Sequence, residues 1–231
     1  MENIQLSEGM EVLCLGCGNV ANIVAIAEEL PDNISFLLTD YSEGMLEKAK
    51  NNIAQKQNIF TEKNITVRYQ VADANVLSVT GKYDRITANH NLYHVEKRHD
   101  LFQIVKSMLK PEGMFCATTV GDTHMRELHE LVARFDSRIE VPAERITCGF
   151  RLENGEEQLA QVFEQIECVM FDSDLLVDEA EPVYHYVYSY PGKAHEFLEE
   201  RKQDFLDMVN EIIQKEGAFY IHKSTGMFRC R

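Results

Sequence analysis

Apolar and polar positions follow two alternating rhythms through the first half of the chain. Met10 to Leu15 is a compact apolar run that stops at Gly16-Cys17-Gly18. Such a run, bounded by glycines, predicts a buried strand. Val20, Ile23, Val24, Ile26, Ala27 and Leu30 then recur at helical spacing, and Pro31-Asp32-Asn33 ends the pattern. A second strand is expected over Ile34 to Thr39, closed by Asp40. The next helix starts at Ser42 and runs to about Gln57. Ser42 is a good N-cap, Glu43 suits the first turn, and Met45, Leu46 and Ala49 form the buried face. Ile65 to Val71 and Tyr83 to Ala88 read as strands three and four. Lys97 to Leu109 is an amphipathic helix, Pro111-Glu112-Gly113 a turn, and Met114 to Val120 a fifth strand. Strands alternating with helices require crossover connections. They predict an α/β fold with a doubly wound, mostly parallel sheet.

The rhythm changes after residue 120. Helices are expected over His124 to Phe135, Glu156 to Gln165, Pro182 to Tyr190 and Ala194 to Glu216. Strands are expected at Ile166 to Phe171, Phe219 to Ile221 and Met227 to Cys230. No stretch reads as a linker, so the expectation is one domain over residues 1–231. Residues 121–162 and 179–216 would then be helical lid or acceptor-side segments.

Composition narrows the function. The chain has 231 residues, 45% of them hydrophobic, enough for one sizeable core. A formal net charge of −15 repels phosphate backbones and argues against nucleic acid as a partner. No apolar run is long enough for a membrane span. The start, Met1 to Leu6, lacks the basic and apolar regions of a signal peptide. Six scattered cysteines in a chain of this length then fit a reducing cytoplasm.

The candidate chemistry begins at the glycine turn. In an open α/β sheet, ligands bind beyond the carboxyl ends of the strands, where the strand order reverses. Gly16 and Gly18 allow close backbone approach, and the following helix offers amide donors. Gly16, Gly18 and Ala21 also fit the loose dinucleotide pattern, and an acid such as Asp40 serves a ribose in either kind of site. On these residues alone, a nicotinamide cofactor and an adenosyl cofactor both remain open.

Further segments separate the two. Leu15-Gly16-Cys17-Gly18, Leu38 to Leu46, Ala72-Asp73-Ala74, Asn89-His90-Asn91-Leu92-Tyr93-His94-Val95 and Leu109 to Gly113 occur in order. Over about residues 10 to 120 this series resembles the class I S-adenosylmethionine-dependent methyltransferases of the type-11 family. The resemblance implies a Rossmann-like methyltransferase fold, S-adenosylmethionine as cofactor and a small-molecule acceptor. It also implies roles. Leu15, Gly16, Cys17 and Gly18 would face the methionine part of the cofactor. Asp40 would hold the ribose hydroxyls, with Tyr41 or Met45 flanking the adenine. Asp73 would accept from the adenine amino group, with Ala74 beside it, and Asn89 and His90 would lie next to the methyl group.

Two positions depart from that pattern. The family's acid in the first strand is Cys14 here, and its third glycine is Val20. That acid helps to hold the cofactor's ammonium, which a neutral thiol cannot do. Both changes predict weaker binding or a shifted methionine tail, and a cofactor-binding protein with little catalysis is the alternative function. A nicotinamide oxidoreductase is a weaker alternative, because it must treat the later motifs as accidents. His90 and His94 are the candidate bases, although methyl transfer needs a base only for a protonated acceptor. Gly121-Asp122-Thr123-His124 reads chiefly as a helix entry capped by Asp122 or Thr123. The spacing Cys14-x-x-Cys17 has no second ligand pair that would make it a metal site. The tyrosines 184, 186, 188 and 190 read mainly as packing residues.

Overall fold

The computed structural model describes residues 3–141 and 147–231; Met1 and Glu2 of the expected start, and residues 142–146 of the expected lid stretch, lie outside it. The first half runs β1 (Glu11–Leu15), α1 (Ala21–Ala25), β2 (Ser35–Asp40), α2 (Glu43–Ala54), α3 (Gln57–Glu62), β3 (Thr66–Val71), β4 (Tyr83–Asn89), α4 (Arg98–Met108) and β5 (Leu109–Val120). The second half runs α5 (Arg126–Phe135), α6 (Leu152–Leu159), β6 (Ile166–Phe171), β7 (Leu175–Val177), α7 (Ala180–Tyr188), α8 (Ala194–Glu199), α9 (Lys202–Glu216), β8 (Phe219–Ile221) and β9 (Thr225–Cys230).

Seven strands form one sheet in the order β3-β2-β1-β4-β5-β9-β6. The pairs β3–β2, β2–β1, β1–β4 and β4–β5 are all parallel. The order reverses between β1 and β4, which is the switch point of a doubly wound sheet. Strands covered on both faces need continuous apolar runs. β1 meets this need with Val12, Leu13, Cys14 and Leu15, all buried.

The chain divides into two compact units. One comprises Met1–Thr119, Leu152–Val169 and Gly226–Arg231; the other comprises Val120–Arg151 and Met170–Thr225. In the first, Val12, Ile23, Phe36, Leu38, Ala49 and Phe60 belong to one apolar cluster. Phe102, Phe115 and Phe163 pack together elsewhere in that unit, with ring centroids 5.7–6.5 Å apart. The second unit has its own core, built on Leu128, Leu131, Val132, Val183, Val187, Phe205 and Val209. A two-stranded antiparallel ribbon, β7–β8, also lies in this unit.

Several expected boundaries move, each for a local reason. The helix expected from Val20 to Leu30 is only α1, followed by a 3-10 turn at Ala27–Glu29. Ile26 leaves helical geometry at φ −106°, and α1 has neither a side-chain cap nor an acid in its first turn. The branched residues Ile23, Val24 and Ile26 also weaken helix propensity here. The expected turn at Pro111-Glu112-Gly113 lies inside β5 instead. The register with β4 jumps there, from Tyr83↔Leu109 to Arg85↔Met114, so the extra residues are absorbed as a bulge. α5 begins at Arg126, and its N-cap is Met125 rather than Asp122 or Thr123. Met125 adopts the left-handed conformation, its side chain is buried, and its amide donates to the His222 carbonyl at 2.8 Å. The long helix expected over Ala194 to Glu216 is two helices, α8 and α9. α3 and β7 were not expected.

Three of the four tyrosines, 184, 186 and 188, lie on α7, and Tyr190 follows its end. Tyr184 and Tyr188 approach at 5.6 Å on one side, and Tyr186 and Tyr190 at 5.6 Å on another. Spacing of two on a helix divides Tyr184, Tyr186 and Tyr188 between faces, and most of the set packs within the second unit's core.

Candidate active site

The first unit holds a cavity of about 460 Å³ formed by chain leaving β1, β2, β3 and β4 at their carboxyl ends. Its walls are Gly16 after β1, Asp40 and Tyr41 after β2, Ala72 to Asn75 after β3, and Asn91, His94 and Val95 after β4. A cavity of this size at a topological switch point is the expected place for a cofactor.

The turn after β1 is built on Asp40. Its Oδ2 accepts from the Gly18 amide at 2.8 Å, and its Oδ1 accepts from the Ser42 amide at 2.9 Å. One carboxylate thus braces the glycine turn and the entry to α2. Each oxygen has a second lone pair, so the group can still accept two hydroxyl hydrogens. Ser42 caps α2 as expected, its Oγ accepting from the Met45 amide. Tyr41 is 76% exposed and Met45 is half-exposed on the first turn of α2. An exposed aromatic ring on a cavity wall is an available stacking face for a planar ligand.

Gly16 is glycine for two reasons. Its φ is +58°, and a Cβ there would lie 2.1 Å from Asn91 Nδ2. Asn91 crosses over this α-carbon to donate from Nδ2 to the Leu15 carbonyl at 2.6 Å. Cys17 is half-buried, and its amide donates to the Thr39 carbonyl at 2.8 Å. Gly18, at φ +59°, has open space where a Cβ would point.

Across the cavity, Asp73 caps a 3-10 turn at Ala74–Val76. Its Oδ1 accepts from both the amide and the Nδ2 of Asn75, at 2.8 and 3.1 Å. Asn75 Oδ1 in turn accepts from the Glu96 amide at 2.8 Å, fastening the β3 exit to the segment after β4. This leaves Asp73 Oδ2 available to a ligand.

The cavity wall takes in some of the sequence-predicted residues and leaves out others. Gly16, Asp40, Tyr41, Asp73, Ala74 and His94 line it; Leu15, Cys17, Gly18, Met45, Asn89 and His90 do not. Leu15 is core, and Gly18 contributes through its bond to Asp40. Asn89 Oδ1 accepts from Thr118 Oγ1 at 3.3 Å. His90 sits at φ +51° with its amide bound to the Thr118 carbonyl. Asn75 and Asn91 were given no role by sequence. For Asn75 the signal was its place two residues after Asp73, where an Asx turn forms. For Asn91 no local signal exists, because its partner lies 76 residues away.

The two departures have structural consequences. Cys14 is 7% exposed, and burial pushes its thiol up to about 11, so it stays neutral at physiological pH. Cys17 is pushed up to about 12 by burial and by the nearby Cys14 and Asp40. Val20 adopts φ 54°, ψ 26°, a left-handed geometry that favours glycine, with its side chain buried. All six cysteines are free thiols.

A second cavity, of about 450 Å³, lies within the second unit. It is lined by Gly121, Asp122 and His124 of the expected helix entry, with Arg126, His129 and Arg151 among its other residues. Arg151 pairs with Asp122. Among the described residues, no helix is long and apolar enough to cross a membrane.

Comparison with known proteins points to one family. A family model described as a methyltransferase domain matches residues 6–167. Malonyl-[acyl-carrier protein] O-methyltransferase 2 of Ilyobacter polytropus is 29% identical over 134 residues, which is 58% of this chain and 48% of that protein. The chain therefore spans about half the length of this relative. Among solved structures, the YcgJ protein of Bacillus subtilis superposes with a TM-score of 0.59 at 15% identity, covering 99% of this chain and 94% of that one. Phosphoethanolamine N-methyltransferase 2 of Haemonchus contortus was solved with phosphomonomethylethanolamine and S-adenosylhomocysteine. It superposes with a TM-score of 0.57 at 16% identity, covering 99% of this chain and 50% of that one.

Proposed function

We propose that this chain, which belongs to the methyltransferase-domain family of class I S-adenosylmethionine-dependent enzymes, transfers a methyl group to a small-molecule acceptor. The carrying observation is the cavity at the carboxyl ends of β1 to β4, with Gly16, Asp40 and Asp73 on its walls. These residues fit the cofactor. Gly16 supplies a wall without a side chain, and Asp40 retains two acceptor positions for ribose hydroxyls. Asp73 retains one oxygen for the adenine amino group, and Tyr41 offers a ring face beside it. When bound, S-adenosylmethionine supplies an activated methyl group on a positively charged sulfur.

The remaining work of the chain is positioning and exclusion of water. His94 is the imidazole on the cavity wall, and it is the group to remove a proton from an acceptor that arrives protonated. His90 lies one residue beyond β4 and holds that exit against Thr118 through its backbone.

A carboxylate oxygen is the favoured acceptor atom. It is supported by the named substrate of the Ilyobacter relative. A carboxylate is already ionised at neutral pH and needs no base. On this reading, His94→Ala retains most methyl transfer to a carboxylate.

Isothermal calorimetry with S-adenosylhomocysteine and with NAD tests the cofactor assignment. Binding of the first and not the second is expected. Absence of S-adenosylhomocysteine binding at millimolar concentration overturns it. Methyl transfer from radiolabelled S-adenosylmethionine to malonyl thioesters, read as a base-labile methyl ester, tests the acceptor. Cofactor binding without turnover on any carboxylate would favour the cofactor-binding alternative.

A further inference from the structure

Asn91 stands out among the residues of the cavity wall. Its Nδ2 donates to the Leu15 carbonyl at 2.6 Å, and this contact fixes which end of the amide is which. An oxygen in that place would face another oxygen. The other end, Oδ1, is therefore an acceptor, and it is buried with no hydrogen-bond partner among the described residues. A buried acceptor left unmet costs free energy that the fold does not recover by itself. A donor supplied by a ligand would recover it.

Position identifies the donor. Asn91 lies directly over the α-carbon of Gly16, in the turn expected to face the methionine part of the cofactor. The charged donor of that part is its α-ammonium. The acid expected to help hold it is replaced by Cys14, a buried and neutral thiol that carries no charge to offer. The end of β1 thus carries a neutral thiol where the resemblance implies an acid, and Asn91, crossing over the turn that follows, carries an unsatisfied neutral acceptor. We infer that the Asn91 side-chain oxygen is the acceptor for the cofactor's ammonium group and takes over the task of the acid missing at Cys14. The last side-chain torsion of asparagine is soft, so a modest rotation brings Oδ1 toward a ligand seated against Gly16. Nδ2 turns with the same amide plane, so its bond to the Leu15 carbonyl bends as Oδ1 moves.

The inference rests on the cofactor reading above, and its test separates the two. Binding of S-adenosylhomocysteine and of 5′-methylthioadenosine, which lacks the amino-acid end, is measured by calorimetry on the native protein and on Asn91→Ser and Asn91→Leu. The variants are expected to bind S-adenosylhomocysteine about 10–100-fold more weakly, the loss of one charge-assisted hydrogen bond. Their affinity for 5′-methylthioadenosine should stay within about threefold of native, because no ammonium is involved. Equal losses for the two ligands would make Asn91 a brace for the turn and overturn the inference. So would an unchanged affinity for S-adenosylhomocysteine. A native protein that binds neither ligand would overturn the cofactor reading itself. If both variants fail to fold, the native protein still decides the matter. With 13C-labelled asparagine, the Asn91 side-chain carbonyl resonance should shift on adding S-adenosylhomocysteine and not on adding 5′-methylthioadenosine. Identical shifts with both ligands would overturn the inference.

Discussion

Replacing Asp40 by alanine removes two hydrogen bonds from the protein and two from its proposed ligand, and the two losses can be read separately. In the protein, the carboxylate accepts from Gly18 at 2.8 Å and from Ser42 at 2.9 Å. Bonds to charged groups contribute about 1.5–3 kcal/mol each when buried. Asp40 is half-buried, and water can reach the freed amides, so the combined loss of stability is set at about 1–3 kcal/mol. For a protein of this size that is a fall in melting temperature of roughly 2–12 °C. In the complex, the loss of two ribose contacts at about 1.5 kcal/mol each corresponds to an affinity drop of roughly 100-fold. Asp40→Asn gives a sharper version. The side chain keeps its volume, but its single oxygen cannot accept from both Gly18 and Ser42, and its NH2 faces one of those donors. It should be close to alanine in both measurements. The assays are thermal melting without ligand and calorimetry with S-adenosylhomocysteine. A variant that melts lower yet binds S-adenosylhomocysteine within twofold of native would refute the ribose assignment and leave Asp40 as a brace alone.

Other outcomes follow from the same geometry. Gly16→Ala places a Cβ 2.1 Å from Asn91 Nδ2 and at a positive φ. It should cost at least about 1–2 kcal/mol of stability by urea titration, and S-adenosylhomocysteine binding should be lost; normal binding would mean the turn is freer than described. Val20→Gly removes left-handed strain of about 1–2 kcal/mol, but it also removes a buried side chain worth about 1.5–3 kcal/mol and adds glycine's entropy cost. A net loss of about 1–2 kcal/mol is expected, and a higher melting temperature would show that strain dominates. Burial pushes the thiols of Cys14, Cys17 and Cys116 from 9.0 up to about 11, 12 and 12. The native state keeps these protons while the unfolded chain releases them above pH 9. Stability contributed by the neutral thiols is therefore full below pH 9 and declines toward pH 11–12. Melting temperatures should fall across that range, less steeply in Cys116→Ser; an equal slope in that variant would contradict the assignment. At pH 8, the exposed Cys148 and Cys168 should react with a thiol reagent well before the four others.

The parts of the site legible in sequence are those whose chemistry is local. An apolar run into Gly16-Cys17-Gly18 gives a strand and turn, Ser42 gives a cap, and Asp40 and Asp73 stand at strand exits where carboxylates meet ligands. What was illegible depends on partners distant in sequence. Val20 holds a glycine-like conformation that no propensity announces, and Met125 caps α5 through a bond to His222. Asn91 owes its orientation to Leu15. The bulge inside β5 was misread as a turn because proline and glycine signal both. The insertion of β9 between β5 and β6 is a long-range pairing that local rhythm does not encode.

That insertion governs the order in which the sheet can be made. On the ribosome, β1 to β5 emerge consecutively and can pair as they appear. β6 emerges next, but it has no place of its own beside β5. Its neighbour in the sheet is β9, which begins only at Thr225, after β7, α7, α8, α9 and β8 have been synthesised. Until then β5 presents an open edge and β6 has no strand to join, the condition in which unfinished sheets find the wrong partners. A stop codon just before Thr225 would therefore remove two strands from the sheet by deleting one. Residues 225–230 act as the closing piece of a sheet whose first strand and glycine turn come within the first twenty.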